Sequence, residues 1–310
     1  MLEQDRHQRI CDAIYRMVTF FDVLGYAPLW VECTSWIEWG VDDGLPPSAD
    51  EFVCARDALI ARGSIQTEAG RIARRGSMEG FMRKLHDADV TFPRKLRRAR
   101  RVAKWLSFFA GVRFVALVNT TALGVARDAS DLDFFVIVRD GSMWSIRLFG
   151  GAPYRIFGRL ASATGDDAAP DAVCLSYFMT DANLDLASHM LPSDDPYFRY
   201  WFLSMLPLFD DGISKELWER NAMIRDRHTL ASSWMLSPDI AIRVPRIRYQ
   251  SPQWVERFAR WFQMRWFPAR IRDRMNRDTT VIVNDQILKF HVDDGRAKYR
   301  EAYEKRLIEK

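Results

Sequence analysis

Residues 115–138 read VALVNTTALGVARDASDLDFFVIV. An apolar, β-rich run at 114–118 ends in Asn119, Thr120 and Thr121. A short helical stretch follows, and Ser130-Asp131-Leu132-Asp133 then leads directly into a second apolar run that ends at Val138. Both runs are continuous enough to be buried strands. The two-residue period of a strand sets Asp131 and Asp133 on the same face at one end of the second strand. Two carboxylates held side by side repel each other unless a cation lies between them. Hard oxygen ligands of this kind, with water and phosphate oxygens completing an octahedron, suit Mg2+, with Mn2+ as an alternative. The turn at 119–121 stands at a helix start, where backbone N–H groups favour an anion such as phosphate. A D-x-D before a strand can equally be a solvated turn. The full order of strand, polar turn, helix, Ser-Asp-x-Asp and strand favours the metal reading.

Outward from this segment, 142–160 reads as a helix, 166–170 as a loop and 173–179 as a third strand, so strands alternate with helices as in an α/β sheet. After about Asn183 helices predominate, with loops at 192–196, 210–212 and 245–252 and a short strand near 280–282. The first seventy residues read differently. Helices are predicted at 9–24, 29–39 and 48–62, the last opened by the capping-box pair Ser48 and Glu51 and closed by Gly63. A hairpin at 64–73 turns at Ala69-Gly70. Three helices followed by a two-stranded wing is the winged-helix order, although the same order and length fit other small helical caps.

The chain has 310 residues, long enough for two or three compact units. With 48% hydrophobic and 28% charged residues, it is excluded from disordered and fibrous classes. No apolar run approaches the ~18–20 residues of a membrane span. The polar start MLEQDRHQRI has no secretory signal character. Cys11, Cys33, Cys54 and Cys174 are scattered, as expected of reduced thiols in a cytoplasmic protein rather than a disulfide frame or zinc site. The charge is uneven: twelve Lys/Arg against three acids lie between 71 and 104, which leaves the remainder net negative in a chain of net +4. A helix over 93–109, with Leu96, Ala99, Ala103 and Leu106 on one face, carries the basic residues from Arg94 to Lys104 outward. That face is either a polyanion surface or a solvated interdomain helix. The helix at 48–62 carries only Arg56 and Arg62 against Asp50, Glu51 and Asp57, so sequence-specific DNA readout is not expected.

The 115–138 segment resembles the nucleotidyltransferase superfamily with a DNA-polymerase-β-like core, whose motif is Gly-Ser, a spacer and Asp-x-Asp between two strands. Ser130, Asp131 and Asp133 stand in register with it. More narrowly, the chain is similar to a poorly characterised bacterial and archaeal group that joins a winged-helix-like N-terminal region to this core. The likeness extends to IYRMVTFFDVLGYAPL, RKLRRARRVAKWL, GSMWSIRLF, VCLSYFMT, the PLF at 207–209 and FHVDDGR at 290–296. It implies Asp131 and Asp133 as catalytic metal ligands, with Asn119, Thr120, Thr121 and Ser130 around a nucleoside triphosphate. Arg127, close in sequence, is the candidate cation for the nucleotide, and an exposed loop arginine is the expected alternative. Two departures stand out. Asn119-Thr120 replaces Gly-Ser; asparagine tolerates left-handed backbone angles, and Thr120 still offers a hydroxyl. The third carboxylate that the superfamily places on a later strand is absent from the middle of 173–179, where Ser176 stands, and Asp171 at the edge is the candidate.

The expected architecture is therefore α/β (α+β): a winged-helix-like domain at 1–92, a nucleotidyltransferase-type small mixed sheet with flanking helices at 93–200, and a mostly helical region at 201–310. The expected activity is Mg2+-dependent transfer of a nucleotidyl group from an NTP to a hydroxyl acceptor on RNA, protein or a small molecule. The alternatives are a catalytically impaired relative acting in nucleic-acid binding or regulation, and a winged helix that serves only protein interaction. His291, Asp294 and Arg296 either reach the nucleotide cleft or, as the expected reading has it, form a capped and paired helix start. His189 and His228 have no assigned role. Trp254, Phe258, Trp261 and Phe262, interleaved with Arg257, Arg260 and Arg265, are expected to pack a C-terminal core. A membrane interface or stacking on single-stranded nucleic acid are the alternatives.

Overall fold

Apolar residues of the first helix recur at helical spacing (Ile10, Ile14, Met17, Val18, Phe21), and all are buried. A computed structural model of the chain describes residues 2–161, 169–244 and 248–309. It begins with α1 (Leu2–Leu24), α2 (Trp30–Trp36) and α3 (Ala49–Ala61), followed by the hairpin β1 (Ile65–Glu68) and β2 (Arg71–Arg74). The Ser48 hydroxyl accepts from the Glu51 amide at 3.2 Å, and the Glu51 carboxylate accepts from the Ser48 amide at 2.8 Å, so the capping box is complete. Ala69 and Gly70 turn the hairpin with φ of 49° and 74°, the left-handed pair that matches the twist of a two-residue β-turn.

One continuous helix, α4 (Met78–Leu106), leads from the hairpin to the sheet. The sequence places its start at Pro93, but Pro93 lies in the helix interior. The expected division at 92/93 therefore falls within α4, and that at 200/201 falls within α7 (Pro196–Leu203). Between them come β3 (Val112–Leu117), α5 (Asn119–Ala122), β4 (Leu132–Val138), α6 (Met143–Ile156) and β5 (Val173–Thr180). After α7 follow β6 (Leu206–Asp210), α8 (Ile213–Arg220), α9 (Ala222–Arg225), α10 (Gln253–Trp266), α11 (Ala269–Arg274), β7 (Val281–Val283), β8 (Ile287–Phe290) and α12 (Arg296–Ile308). Part of the loop expected at 166–170 and part of that at 245–252 lie outside the described residues.

Among the described residues, six strands form one mixed sheet in the order β6-β3-β4-β5-β8-β7, and of these pairs only β4 and β5 are parallel. Alternation along β4 feeds two cores. Phe135 and Ile137 join α1, α3, α7 and α8 on one face, while Leu132, Phe134, Val136 and Val138 join α4, α6, α10 and α11 on the other. The fold is mixed α/β, as expected. β6 and β8 were not anticipated. Pro207 speaks against a strand, but β6 is an edge, where a missing N–H is tolerated. A correction concerns α10. It buries Val255, Ala259 and Gln263, whereas Trp254, Trp261 and Trp266 are 70%, 60% and 71% exposed and Phe258 and Phe262 stand beside them, so the aromatic face does not pack a core.

Candidate functional site

The end of β3 and the start of β4 lie side by side, because these strands pair antiparallel across the short connection at 118–131. Asn119 opens α5 with φ of 59°, a left-handed conformation that asparagine adopts more readily than most residues. This turn aims its side chain at the acidic strand. Asn119 Nδ2 donates to Asp133 Oδ2 at 3.0 Å, and Tyr197 Oη donates to Asn119 Oδ1 at 3.1 Å. Because β4 and β5 run parallel with Asp133 opposite Cys174, the Cys174 thiol joins the acidic pair. Ligand atoms of Asp131, Asp133 and Cys174 all lie within 4.8 Å of one another. Burial raises the Asp133 carboxyl above the usual carboxylate range, against the opposing pull of the Asn119 amide. Burial, reinforced by Asp133, also holds the Cys174 thiol protonated well above its ordinary value. The two carboxylates fit a hard ion such as Mg2+, whereas thiol sulfur is a soft donor, so Asp131 and Asp133 are the residues that could hold it.

β8 meets β5 only at Tyr177, Phe178 and Met179. Among the described residues, 174–176 of β5 therefore have no strand partner on that side, and a cleft of about 880 Å³ opens there. Asn119, Asp133, Cys174 and Ser176 line it on one side, and Lys289, His291, Asp294 and Arg296 on another. The Lys289 ammonium donates to the Thr279 carbonyl at 2.6 Å, and burial, with Arg296 nearby, pushes it down to about 7. Burial and the neighbouring Lys289 push His291 down to about 3, so its imidazole is neutral. Arg296 is a structural clamp. It pairs with Asp195 at 2.8 Å and Asp294 at 2.7 Å and donates to the His189 carbonyl at 2.8 Å. The His291, Asp294 and Arg296 cluster thus reaches the cleft, while its Asp–Arg pair does the capping and pairing expected of it.

The remaining expected residues are not gathered there. Asp131 adjoins Asp133 but does not line the cleft. Thr120 and Arg127 are exposed, Thr121 is buried with its hydroxyl on the Asp131 carbonyl at 3.4 Å, and Ser130 presents its carbonyl to Lys95 at 2.5 Å. α5 has only four residues, so any phosphate at 119–121 would depend on the turn's N–H groups rather than on a helix dipole. Asp171 is the most tightly held of them. Its buried carboxylate, on a residue with φ of 60°, is held by Lys95 at 2.6 Å, Arg94 at 3.0 Å and Arg98, and it does not line the cleft. It ties the approach to β5 to α4.

The same cage reduces the basic face of α4. Arg94, Lys95 and Arg98 hold Asp171, and Arg100 donates to the Ala241 carbonyl at 3.2 Å. Arg97, Arg101 and Lys104 remain exposed on one side of the helix. Sequence reasoning missed Cys174, Tyr197, Lys289 and Arg147 as cleft residues. Cys174 carried a usable signal, since it lies two residues before Ser176 on the strand where a carboxylate was sought. The other three come from α6, α7 and β8 and are joined only by tertiary packing. Among the described residues, no helix is long and apolar enough to cross a membrane. Compared with known proteins, the chain matches no family model, no curated protein and no solved structure.

Proposed function

We propose that this chain is a nucleotidyltransferase-type protein that uses Mg2+ or Mn2+ to transfer a nucleotidyl group from a nucleoside triphosphate to a hydroxyl acceptor. The observation that carries this reading is the adjacent pair Asp131 and Asp133 beside a large cleft, with Asn119 in a left-handed turn fixing Asp133. A divalent ion at this pair would neutralise triphosphate charge and acidify an acceptor hydroxyl. The chain's own residues do the positioning. Tyr197 orients Asn119, Asn119 orients Asp133, and Lys289 lines the same cleft, where an anionic leaving group would favour its protonated form. The three helices and hairpin at the N-terminus form a winged-helix-like module in this reading, suited to partner binding rather than to reading DNA bases.

One observation favours the second reading, a catalytically impaired relative in nucleic-acid binding or regulation. Among the described residues the acidic pair is joined by Cys174 and by no third carboxylate. The residual basic stripe Arg97, Arg101 and Lys104 would then be the polyanion contact. Incubation of the purified chain with α-labelled NTPs, Mg2+ or Mn2+ and RNA, protein and small-molecule acceptors separates the two. Label transfer that disappears in an Asp131→Ala/Asp133→Ala variant supports the enzyme. Transfer that persists in that variant rejects the site, and NTP binding without transfer supports the impaired relative.

A further inference from the structure

The cleft beside Asp133 has a second arm of different chemistry. Leu148, Ala152 and Ile156 of α6 line it together with Phe262 and Trp266 of α10 and the adjoining Phe267. Phe262 and Trp266 also continue outward as a ring ladder with Phe258, at centroid spacings of 6.1 Å, so the apolar arm opens to the surface. Into this arm projects Arg147, whose guanidinium lies 4.4 Å from the centre of the Phe290 ring. Its Nη1 donates to Gln263 Oε1 at 2.6 Å, and its buried Nε has no hydrogen-bond partner among the described residues. Among the described residues no carboxylate pairs with it. A desolvated guanidinium left without an anion is unfavourable, and the field of Arg155, which also lines the cleft, adds to the positive potential.

We infer that this arm is a binding site for a small amphiphilic anion: an alkyl or aromatic body laid between α6 and α10, with a phosphate or carboxylate head on Arg147. Planar guanidinium N–H groups suit such heads, and the aliphatic and aromatic walls exclude a purely polar ligand. On the transferase reading this is the acceptor's arm, but the binding itself does not depend on transfer.

Calorimetric titration of the full chain with dodecyl phosphate below its micelle concentration, with dodecanol and with inorganic phosphate tests the site. Dodecyl phosphate should bind about tenfold or more tighter than either control. Arg147→Met should erase its advantage over dodecanol, and Arg147→Lys should keep part of it. Trp266→Ala, at an exposed position that leaves folding undisturbed, should weaken dodecyl phosphate and dodecanol alike. Absence of binding, equal affinity for dodecyl phosphate and dodecanol, or a preference that survives Arg147→Met would overturn the inference. Phosphatidylcholine vesicles carrying phosphatidic acid distinguish the source of the ligand. Co-sedimentation lost in Arg147→Met assigns a bilayer lipid, and monomer binding without co-sedimentation assigns a free amphiphile. Asp133→Asn should leave dodecyl phosphate binding within about twofold. Failed label transfer with intact amphiphile binding would then remove the transferase reading and leave this site standing.

Discussion

Asn119 and Asp171 are both non-glycine residues in left-handed backbone, and each is held there by its side chain. For Asn119 the restraints are the hydrogen bonds to Asp133 and from Tyr197. Asn119→Ala keeps the unfavourable φ and loses both bonds, so it should destabilise by about 1–3 kcal/mol in urea titrations. Asn119→Gly should cost less, because the backbone strain is relieved. Asp171 stands under stronger constraint. Burial opposes its ionisation, but Lys95 and Arg94 outweigh that and hold it below the usual carboxylate range. Its contribution to stability is therefore complete above the ordinary aspartate value of ~4 and is lost as pH falls below that value through the folded one. Asp171→Asn leaves Lys95 buried without its counter-charge and should cost about 3–5 kcal/mol at neutral pH. The same substitution should flatten stability against pH in the acid range. An unchanged acid limb would show that the cage is not the source of the dependence.

At the scale of elements, the parts with strong local signals were legible. The capping box placed α3, the two apolar runs placed β3 and β4, and Ala69-Gly70 placed the hairpin turn. That turn carries a correctable strain, since Ala69 is not a residue that favours positive φ. Ala69→Asn should raise stability by about 0.5–1 kcal/mol, read as a higher thermal midpoint. The elements that were not legible depended on neighbours. β6 carries a proline that only an edge strand tolerates, and β8 is a four-residue run whose pairing with β5 is long-range. The aromatic face of α10 misled for a physical reason. Helical spacing identifies a common face but not the direction it points, and here Ala259 rather than the tryptophans faces α6. Trp261→Ser should therefore shift stability by no more than ~0.5 kcal/mol, whereas Ala259→Leu should overpack the interface by about 1–3 kcal/mol.

Across the whole molecule, the N-terminal helices share a core with the sheet side rather than closing on themselves. The Phe20 ring of α1 stacks on Tyr200 of α7 at 4.7 Å and meets Tyr303 of α12 edge-on at 5.6 Å. Differential scanning calorimetry should therefore give one cooperative transition, and a separate early transition would mean that the N-terminal module unfolds alone. The candidate site was half legible on the same grounds. Asn119, Asp131 and Asp133 are close in sequence, so strand period and turn chemistry sufficed. Tyr197 and Lys289 join the same cleft from α7 and β8, and no local pattern encodes that meeting. The central claim is that Asp131 and Asp133 jointly hold a divalent ion beneath a triphosphate. Electron paramagnetic resonance of Mn2+ titrated into the chain with a non-hydrolysable NTP analogue tests it most directly. Nucleotide-dependent Mn2+ binding that is lost in a folded Asp131→Asn/Asp133→Asn variant is the predicted result. Equal binding by that variant, or no bound Mn2+ in the unmodified chain, would contradict it.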